Sequence, residues 1–246
     1  MLIYQIIIEY DGTNFVGWQT QKNGLSVQET IQKALKKILK QKIILYGSGR
    51  TDSGVHALSQ SAHFSSKTRI DNKFDFINSV NFFLQKKKIS VLEVKLKKKN
   101  FHARYSAKKR CYKYVIINRI ARLSLDENKA WHIKSILNIK LIKKAAKFLE
   151  GTRDFSTCRS SSCGAKSPIR TLDKVVIIKK ESKITITFKS KSFLQQQVRS
   201  MVGCLKFVAE KKWSLKKFKA VINSKKRVNC APPAPARGLY LFKVSY

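Results

Sequence analysis

The chain has 246 residues, with 52 Lys and Arg against 14 Asp and Glu, giving a formal net charge of +38. Hydrophobic residues at 43% and aromatics at 10% are enough for a packed core, which excludes a disordered polycation, and the length suits one large domain or two small ones. No apolar run approaches the roughly 20 residues that span a bilayer, and the opening Met1-Leu2-Ile3-Tyr4-Gln5-Ile6-Ile7-Ile8-Glu9 lacks the basic start of a signal peptide, so no membrane association and a cytoplasmic location are expected.

In chain order, Leu2–Tyr10 reads as an apolar strand and Val27–Leu39 as a helix, with Val27, Ile31, Ala34, Leu35, Ile38 and Leu39 at helical spacing. Ser26 and Glu29 make a capping box ahead of it. Strands are expected at 43–46, 60–64 and 89–96, the last alternating Val91, Glu93, Lys95 against Leu92, Val94, Leu96, with a polar turn at 47–54 and a helix over 74–83. The second half repeats the order. A strand at 112–117 precedes a helix over Ile139–Leu149 with Asn138 as N-cap. A hairpin pairs 172–179 with 184–188, and a long helix is predicted over 193–210. A short helix at 214–222 is additional, and a strand at 238–246 closes the chain with Leu239 and Leu241 inward. The segment 152–168 is too long for a passive connector and is expected to be a functional or mobile loop.

Two rounds of β-α-β-β-α-β predict an α+β protein of two ferredoxin-like halves, residues 1–104 and 105–246. The halves are expected to form a continuous, largely antiparallel sheet with helices on one face, leaving an open face or a cleft as the place for RNA. A charge of this size calls for a polyanionic partner, and nucleic acid is the commonest one. The basic residues are spread in short runs such as Lys86-Lys87-Lys88 and Lys225-Lys226-Arg227, which equally suit solvated faces, so charge points to a partner class and not to a reaction. The five cysteines are scattered and odd in number, which speaks against a disulfide framework or a zinc site. The four histidines show no metal-ligand spacing.

The densest polar signal is Gly47-Ser48-Gly49-Arg50-Thr51-Asp52-Ser53-Gly54-Val55-His56-Ala57, between two predicted strands. Its glycines permit tight bends and close backbone approach. An Arg and an Asp two residues apart could present opposite charges to a ligand, although Gly, Ser, Thr and Asp are also ordinary turn formers. The pattern is neither a dinucleotide fingerprint nor a P-loop.

Gly49-Arg50-Thr51-Asp52-x-Gly54-Val55-His56-Ala57 resembles the signature loop of the tRNA pseudouridine synthase A (TruA) family. Further blocks resemble that family in the same order. They are Tyr10-Asp11-Gly12-Thr13-x-Phe15-x-Gly17-Trp18-Gln19, Ser26-Val27-Gln28, Phe101-His102-Ala103-Arg104 and Arg110-x-Tyr112-x-Tyr114, then Gly151-x-x-Asp154-Phe155, Phe193-x-x-x-x-Val198-Arg199-x-x-Val202-Gly203 and Gly238-Leu239. The resemblance implies that Asp52 is the catalytic aspartate and that Tyr112 stacks on the target base. Arg199 would pair with the aspartate, Arg50 assist base flipping, Leu239 wall the pocket and Arg104 contact RNA. It implies an isomerase that converts uridines 38, 39 and 40 of the tRNA anticodon arm to pseudouridine, as a homodimer, with no cofactor and no metal. Charge and element order alone suit equally a non-catalytic RNA-binding protein or tRNA chaperone of the same fold. The sequence departs from the family at Cys111, at Gln195-Gln196-Gln197 and at Thr157-Cys158.

Overall fold

The structure, a computed structural model, describes residues 1–246. In chain order the elements are β1 (Leu2–Tyr10), α1 (Val27–Leu39), β2 (Tyr46–Gly47), β3 (His56–Ser66), α2 (Lys73–Leu84), β4 (Ile89–Lys97), β5 (Lys109–Asn118), β6 (Trp131–Ile133), α3 (Ile139–Leu149), β7 (Gly151–Asp154), β8 (Ile169–Lys180), β9 (Lys183–Ser190), α4 (Gln197–Ala209), α5 (Leu215–Asn223) and β10 (Leu239–Ser245). They fall into two compact units, Met1–Lys108 with Tyr240–Tyr246, and Lys109–Leu239. Both are α+β with largely antiparallel strands, and none of the five helices is long and apolar enough to cross a membrane.

In the first unit β1 lies between β4 and β3 and is antiparallel to both. The last strand runs parallel to the start of β3, with Tyr240 beside His56 and Leu241 beside Ala57. Strand geometry sends alternate side chains to opposite faces. Tyr4, Ile6 and Ile8 face the same way as their partners Phe64, Ala62 and Gln60. That face is buried together with Val27, Ile31 and Leu35 of α1 and Phe76, Val80 and Leu84 of α2. Helix α1 starts where the sequence places it because Ser26 Oγ accepts the Glu29 N–H at 3.2 Å. The second half of the capping box is replaced by an ion pair between Glu29 and Lys33.

Two expectations in this unit are corrected. The strand predicted at 43–46 shrinks to Tyr46–Gly47, which pairs with His63 and Ala62. Upstream, Gln32 Oε1 accepts the Leu45 N–H at 3.2 Å and Gln28 Nε2 donates to the Leu45 carbonyl at 2.7 Å. Side chains of α1 thus satisfy the backbone that a strand partner would have taken. In β4 the predicted alternation fails, because Ile7 faces Glu93 while Ile8 faces Val91. Leu92 is the extra residue of a bulge; it turns outward, and Val91 and Val94 are both buried.

In the second unit the sheet order is β5-β9-β8-β7, antiparallel throughout. The short β6, absent from the sequence reading, adds in parallel to the end of β5. Helix α3 packs on α4 and β8, and Ile142, Ala145, Leu149, Met201, Val202, Leu205, Ile186 and Phe188 are buried. Asn138 Oδ1 accepts the Leu141 N–H at 3.0 Å, and Ser214 Oγ the Lys217 N–H at 3.1 Å, which fixes the starts of α3 and α5.

Helix α4 begins at Gln197, four residues later than predicted. Gln196 sits in the left-handed region at φ 59°, the Gln195 carbonyl accepts the Ser160 N–H at 3.0 Å, and Gln197 Oε1 accepts the Leu194 N–H at 2.8 Å. These bonds hold 193–196 as a turn. The segment 152–168 is not irregular throughout. Its first residues form β7 against β8, and Ser156–Cys158 make a 3₁₀ turn whose Thr157 and Cys158 are fully buried.

Candidate active site

The loop between β2 and β3 is held from three sides. Ser48 Oγ donates to Gln60 Oε1 at 2.8 Å while Gln60 Nε2 donates to the Gly49 carbonyl at 2.7 Å, so one buried glutamine of β3 grips both. The Thr51 carbonyl accepts the Trp18 N–H at 3.1 Å, and the Thr51 hydroxyl lies 2.8 Å from that of Tyr10. The loop then turns. The Val55 N–H donates to the Asp52 carbonyl at 3.2 Å, Gly54 takes φ 75°, and Ser53 Oγ donates to the Phe15 carbonyl at 3.1 Å. The side chain at the head of that turn is Asp52, half-buried, with Arg50 exposed two residues before it.

The clamp is the segment 10–18, and glycine makes its close approach possible. A Cβ at Gly17, where φ is 115°, would stand 2.6 Å from the Thr51 carbonyl oxygen, and one at Gly47 would meet the Trp18 ring at 2.5 Å. Beside it, Asp11 Oδ1 accepts from the Thr13 N–H at 3.0 Å and from the Thr13 hydroxyl. Burial works to raise the Asp11 pKa, but these bonds, His56 and Lys88 together hold it below the ordinary carboxylate value. His56 Nδ1 lies 3.0 Å from the Gly12 nitrogen and 3.2 Å from Asp11 Oδ1. It can accept from the first or donate to the second, not both. The His56 ring stacks on Tyr240 at a centroid distance of 4.8 Å.

Arg104, the third residue of this unit singled out in the sequence, lies on a different segment. Its guanidinium sits over the exposed Tyr105 ring, 5.7 Å from the centroid. Tyr105 in turn lies against His102 at 4.4 Å, and His102 against His63 at 4.6 Å. His63 also stacks on Tyr46 at 5.1 Å. This group occupies the face of β3 opposite the helices. Spacing cannot reveal it, because the pairing of Tyr46 with His63 and the bond from the Ala103 N–H to His63 Nδ1 bring together rings that are distant in sequence.

The second unit holds Tyr112, Arg199 and Leu239. Tyr112 is a buried residue of β5 whose ring meets that of Phe193 edge-on at 5.1 Å. Arg199 leaves the first turn of α4, where its Nε donates to the Ala234 carbonyl at 2.7 Å and its own carbonyl accepts the Ala234 N–H at 3.0 Å. The same 231–238 segment takes the Tyr114 hydroxyl, which donates to the Pro235 carbonyl at 2.8 Å. Burial pushes the Tyr114 phenol far above its usual range, against the pull of Arg199 and Arg237, so it stays a neutral donor. Gly238 is required there, since a Cβ would stand 2.7 Å from the Tyr114 ring. Leu239 follows it, 6% exposed. Tyr114 and Gly238 fall within the family-like blocks, whereas Ala234 and Pro235, whose carbonyls accept from Arg199 and Tyr114, are not marked by spacing.

Asp52, Arg50 and Arg104 thus belong to the first unit, and Tyr112, Arg199 and Leu239 to the second. No group of three or more His, Cys, Asp or Glu is arranged to hold a metal ion.

The sequence profile of the tRNA pseudouridine synthases matches residues 6–106 and 145–246. A protein named tRNA pseudouridine synthase A from Pelagibacter ubique (strain HTCC1062) is 58% identical over 246 residues, covering 100% of both chains. Proteins of the same name from Parvibaculum lavamentivorans (strain DS-1) and Neorickettsia sennetsu (strain ATCC VR-367) are 41% and 42% identical, each over 99% of this chain and 98% and 99% of their own. The chain belongs to the tRNA pseudouridine synthase family.

Proposed function

We propose that the protein isomerises uridine to pseudouridine in tRNA, at positions 38, 39 and 40 of the anticodon arm, with Asp52 as the catalytic carboxylate. The observation that carries this reading is the loop itself. In a chain of this family, a single aspartate heads a turn whose neighbours on both sides are fixed by Gln60, Trp18, Tyr10 and Phe15. A catalytic group on a loop needs such support, since small misplacements are expensive in rate.

The reaction breaks the C1′–N1 bond of uridine, turns the base and joins C1′ to C5. The C5 proton leaves to solvent and N1 takes one up. No oxidation state changes. Breaking the glycosidic bond builds positive character on the ribose, which the Asp52 carboxylate stabilises as a nucleophile at C1′ or relieves by taking the 2′ proton. Arg199 is the cation that the family resemblance assigns to this carboxylate, and its bond to Ala234 fixes the direction in which the guanidinium points. Tyr112 offers a ring face to the base and Leu239 an apolar wall. A stem uridine must first leave its stack, at a cost of a few kcal/mol, which insertion of Arg50 offsets. Arg104 and the exposed Tyr105 beside it contact the RNA away from the reacting base. The enzyme acts in the cytoplasm as a homodimer and draws on no metal or cofactor.

The test is tritium release from tRNA labelled at uracil C5, with wild type and Asp52→Asn. Wild type releases tritium and Asp52→Asn does not, while both bind tRNA. Equal release by the two proteins removes Asp52 from this role, and no release by wild type removes the reaction.

A further inference from the structure

Three cysteines far apart in the sequence converge in the second unit, and the isomerisation uses none of them. Cys158 ends the 3₁₀ turn after β7, Cys204 lies within α4, and Cys230 follows the short 3₁₀ turn Arg227–Asn229. Cys158 and Cys204 are fully buried, whereas Cys230 keeps part of its surface exposed. The sulfurs of Cys204 and Cys230 are 3.5 Å apart, and Cys158 is within hydrogen-bonding reach of both. Arg227 stands beside the cluster, donating to Ser200 Oγ at 2.8 Å and to the Thr157 carbonyl at 3.4 Å.

The three sulfurs divide their protons unequally. Cys230 accepts from Cys158 and from Cys204, and with Arg227 and Ser200 adding to these its pKa drops to about 4 in spite of burial. Donating hydrogen bonds to Cys204 and Cys230 raises Cys158, and burial raises it further. Cys204 gains from its bond with Cys158, but donation to Cys230 and burial outweigh this and push it up to about 12. The cluster therefore favours the thiolate on Cys230, the one residue of the three that is not fully buried. Reactive cysteines have this combination of thiolate character and access, and a neighbouring thiol is what resolves them.

We infer that Cys230 is a site of oxidation by hydroperoxides and that Cys204 resolves it into a Cys204–Cys230 disulfide. The Cys230 thiolate attacks one peroxide oxygen, the O–O bond breaks, and the departing oxygen takes up a proton, as water when the oxidant is hydrogen peroxide. Cys230 is left as a sulfenic acid. The Cys204 sulfur then attacks the Cys230 sulfur, the S–O bond breaks, and the hydroxide leaves with the Cys204 proton as a second water. Two thiols lose two electrons and one peroxide gains them. The sulfurs must close from 3.5 Å to about 2.05 Å. Cys204 is fixed by its helix, so the movement falls to Cys230, at the head of the irregular segment 230–235.

The full-length protein is reduced, freed of reductant and exposed to hydrogen peroxide with and without dimedone, then examined by intact and peptide mass spectrometry. Oxidation should lower the intact mass by about 2 Da, the two hydrogens lost to a disulfide, and join tryptic peptides 200–206 and 228–237. Cys204→Ser should stop at a dimedone adduct on Cys230, and Cys230→Ser should form neither product. The wild-type time course decides the matter without any variant. A first adduct on Cys111 or Cys163, or an unmodified Cys230 after the other thiols have reacted, overturns the inference. The readout does not involve tRNA, so it stands or falls apart from the isomerase reading.

Discussion

The α-carbon of Gly12 faces the carbonyl of Val55 so closely that a Cβ there would lie 2.1 Å from the oxygen. Val55 closes the turn headed by Asp52 through its bond to the Asp52 carbonyl, and the Gly12 N–H stands 3.0 Å from His56 Nδ1. The backbones of the two loops are in contact with no side chain between them.

Gly12→Ala should therefore act through Asp52 without touching it. The added methyl has only backbone to push against, so overpacking is expected to cost about 1–3 kcal/mol, read as a lower urea midpoint. Because what moves is the 52–55 turn, kcat should fall by more than tRNA affinity does. A variant of wild-type kcat would mean that the turn is not held by this contact.

Arg199→Lys keeps the charge and loses the fork. The Arg199 Nε bond to the Ala234 carbonyl at 2.7 Å engages one nitrogen of a planar, forked guanidinium, and lysine offers a single ammonium that cannot reproduce that geometry. The expected result is a kcat at least about tenfold lower, the loss for a misdirected charge-assisted hydrogen bond of about 1.5 kcal/mol or more, with tRNA affinity nearly unchanged because the net charge is the same. A matching loss of affinity and rate would instead make Arg199 an RNA-binding residue only.

Elements whose ends are set by local chemistry were legible in the sequence. Helices α1 and α3 run over Val27–Leu39 and Ile139–Leu149 as their spacing predicts, because Ser26 and Asn138 cap them within one turn. Elements set by distant partners were not. Strand β2 is cut short by glutamines of α1, the alternation of β4 breaks at a bulge at Leu92, and α4 starts late because Ser160 claims the Gln195 carbonyl. The site divides in the same way. Loop 47–57 stood out by its residue types, whereas the reasons for Gly47 there and for Gly238 in the second unit lie in what they meet, the Trp18 ring and the Tyr114 ring, and spacing cannot show that.

With a net charge of +38, tRNA binding should depend steeply on salt. If the protein covers six to ten phosphates, affinity should fall by about 10³–10⁵ between roughly 50 and 200 mM salt as counterions are released. Arg104→Ala should lower the slope of log affinity against log salt by about 1, the share of one phosphate contact. A flat salt profile in filter binding would contradict a charge-driven complex.

His63 gives the first unit a pH dependence whose sign follows from its surroundings. Burial is the largest influence on its ring, the neighbouring His102 the next, and together they lower its pKa from 6.5 to about 4, against a raising bond with the Tyr46 backbone. The neutral ring is the form the fold needs, because its Nδ1 accepts the Ala103 N–H at 3.1 Å. With the folded pKa below the unfolded one, the unfolded chain takes the proton first. The stabilisation is complete above pH 6.5 and is lost as pH falls from there to about 4. His102, lowered by burial and by Arg104, works in the same direction. Asp11 and Glu210 are also held low, hydrogen bonds from Thr13 and from Ser135 and Lys206 outweighing burial, but their losses begin only below 3.8 and 4.5. Asparagine at position 63 keeps an acceptor near Nδ1 and cannot titrate. Urea midpoints of the wild type should climb between about pH 5 and 6.5, and those of His63→Asn should climb less. Parallel curves would place the titrating group elsewhere.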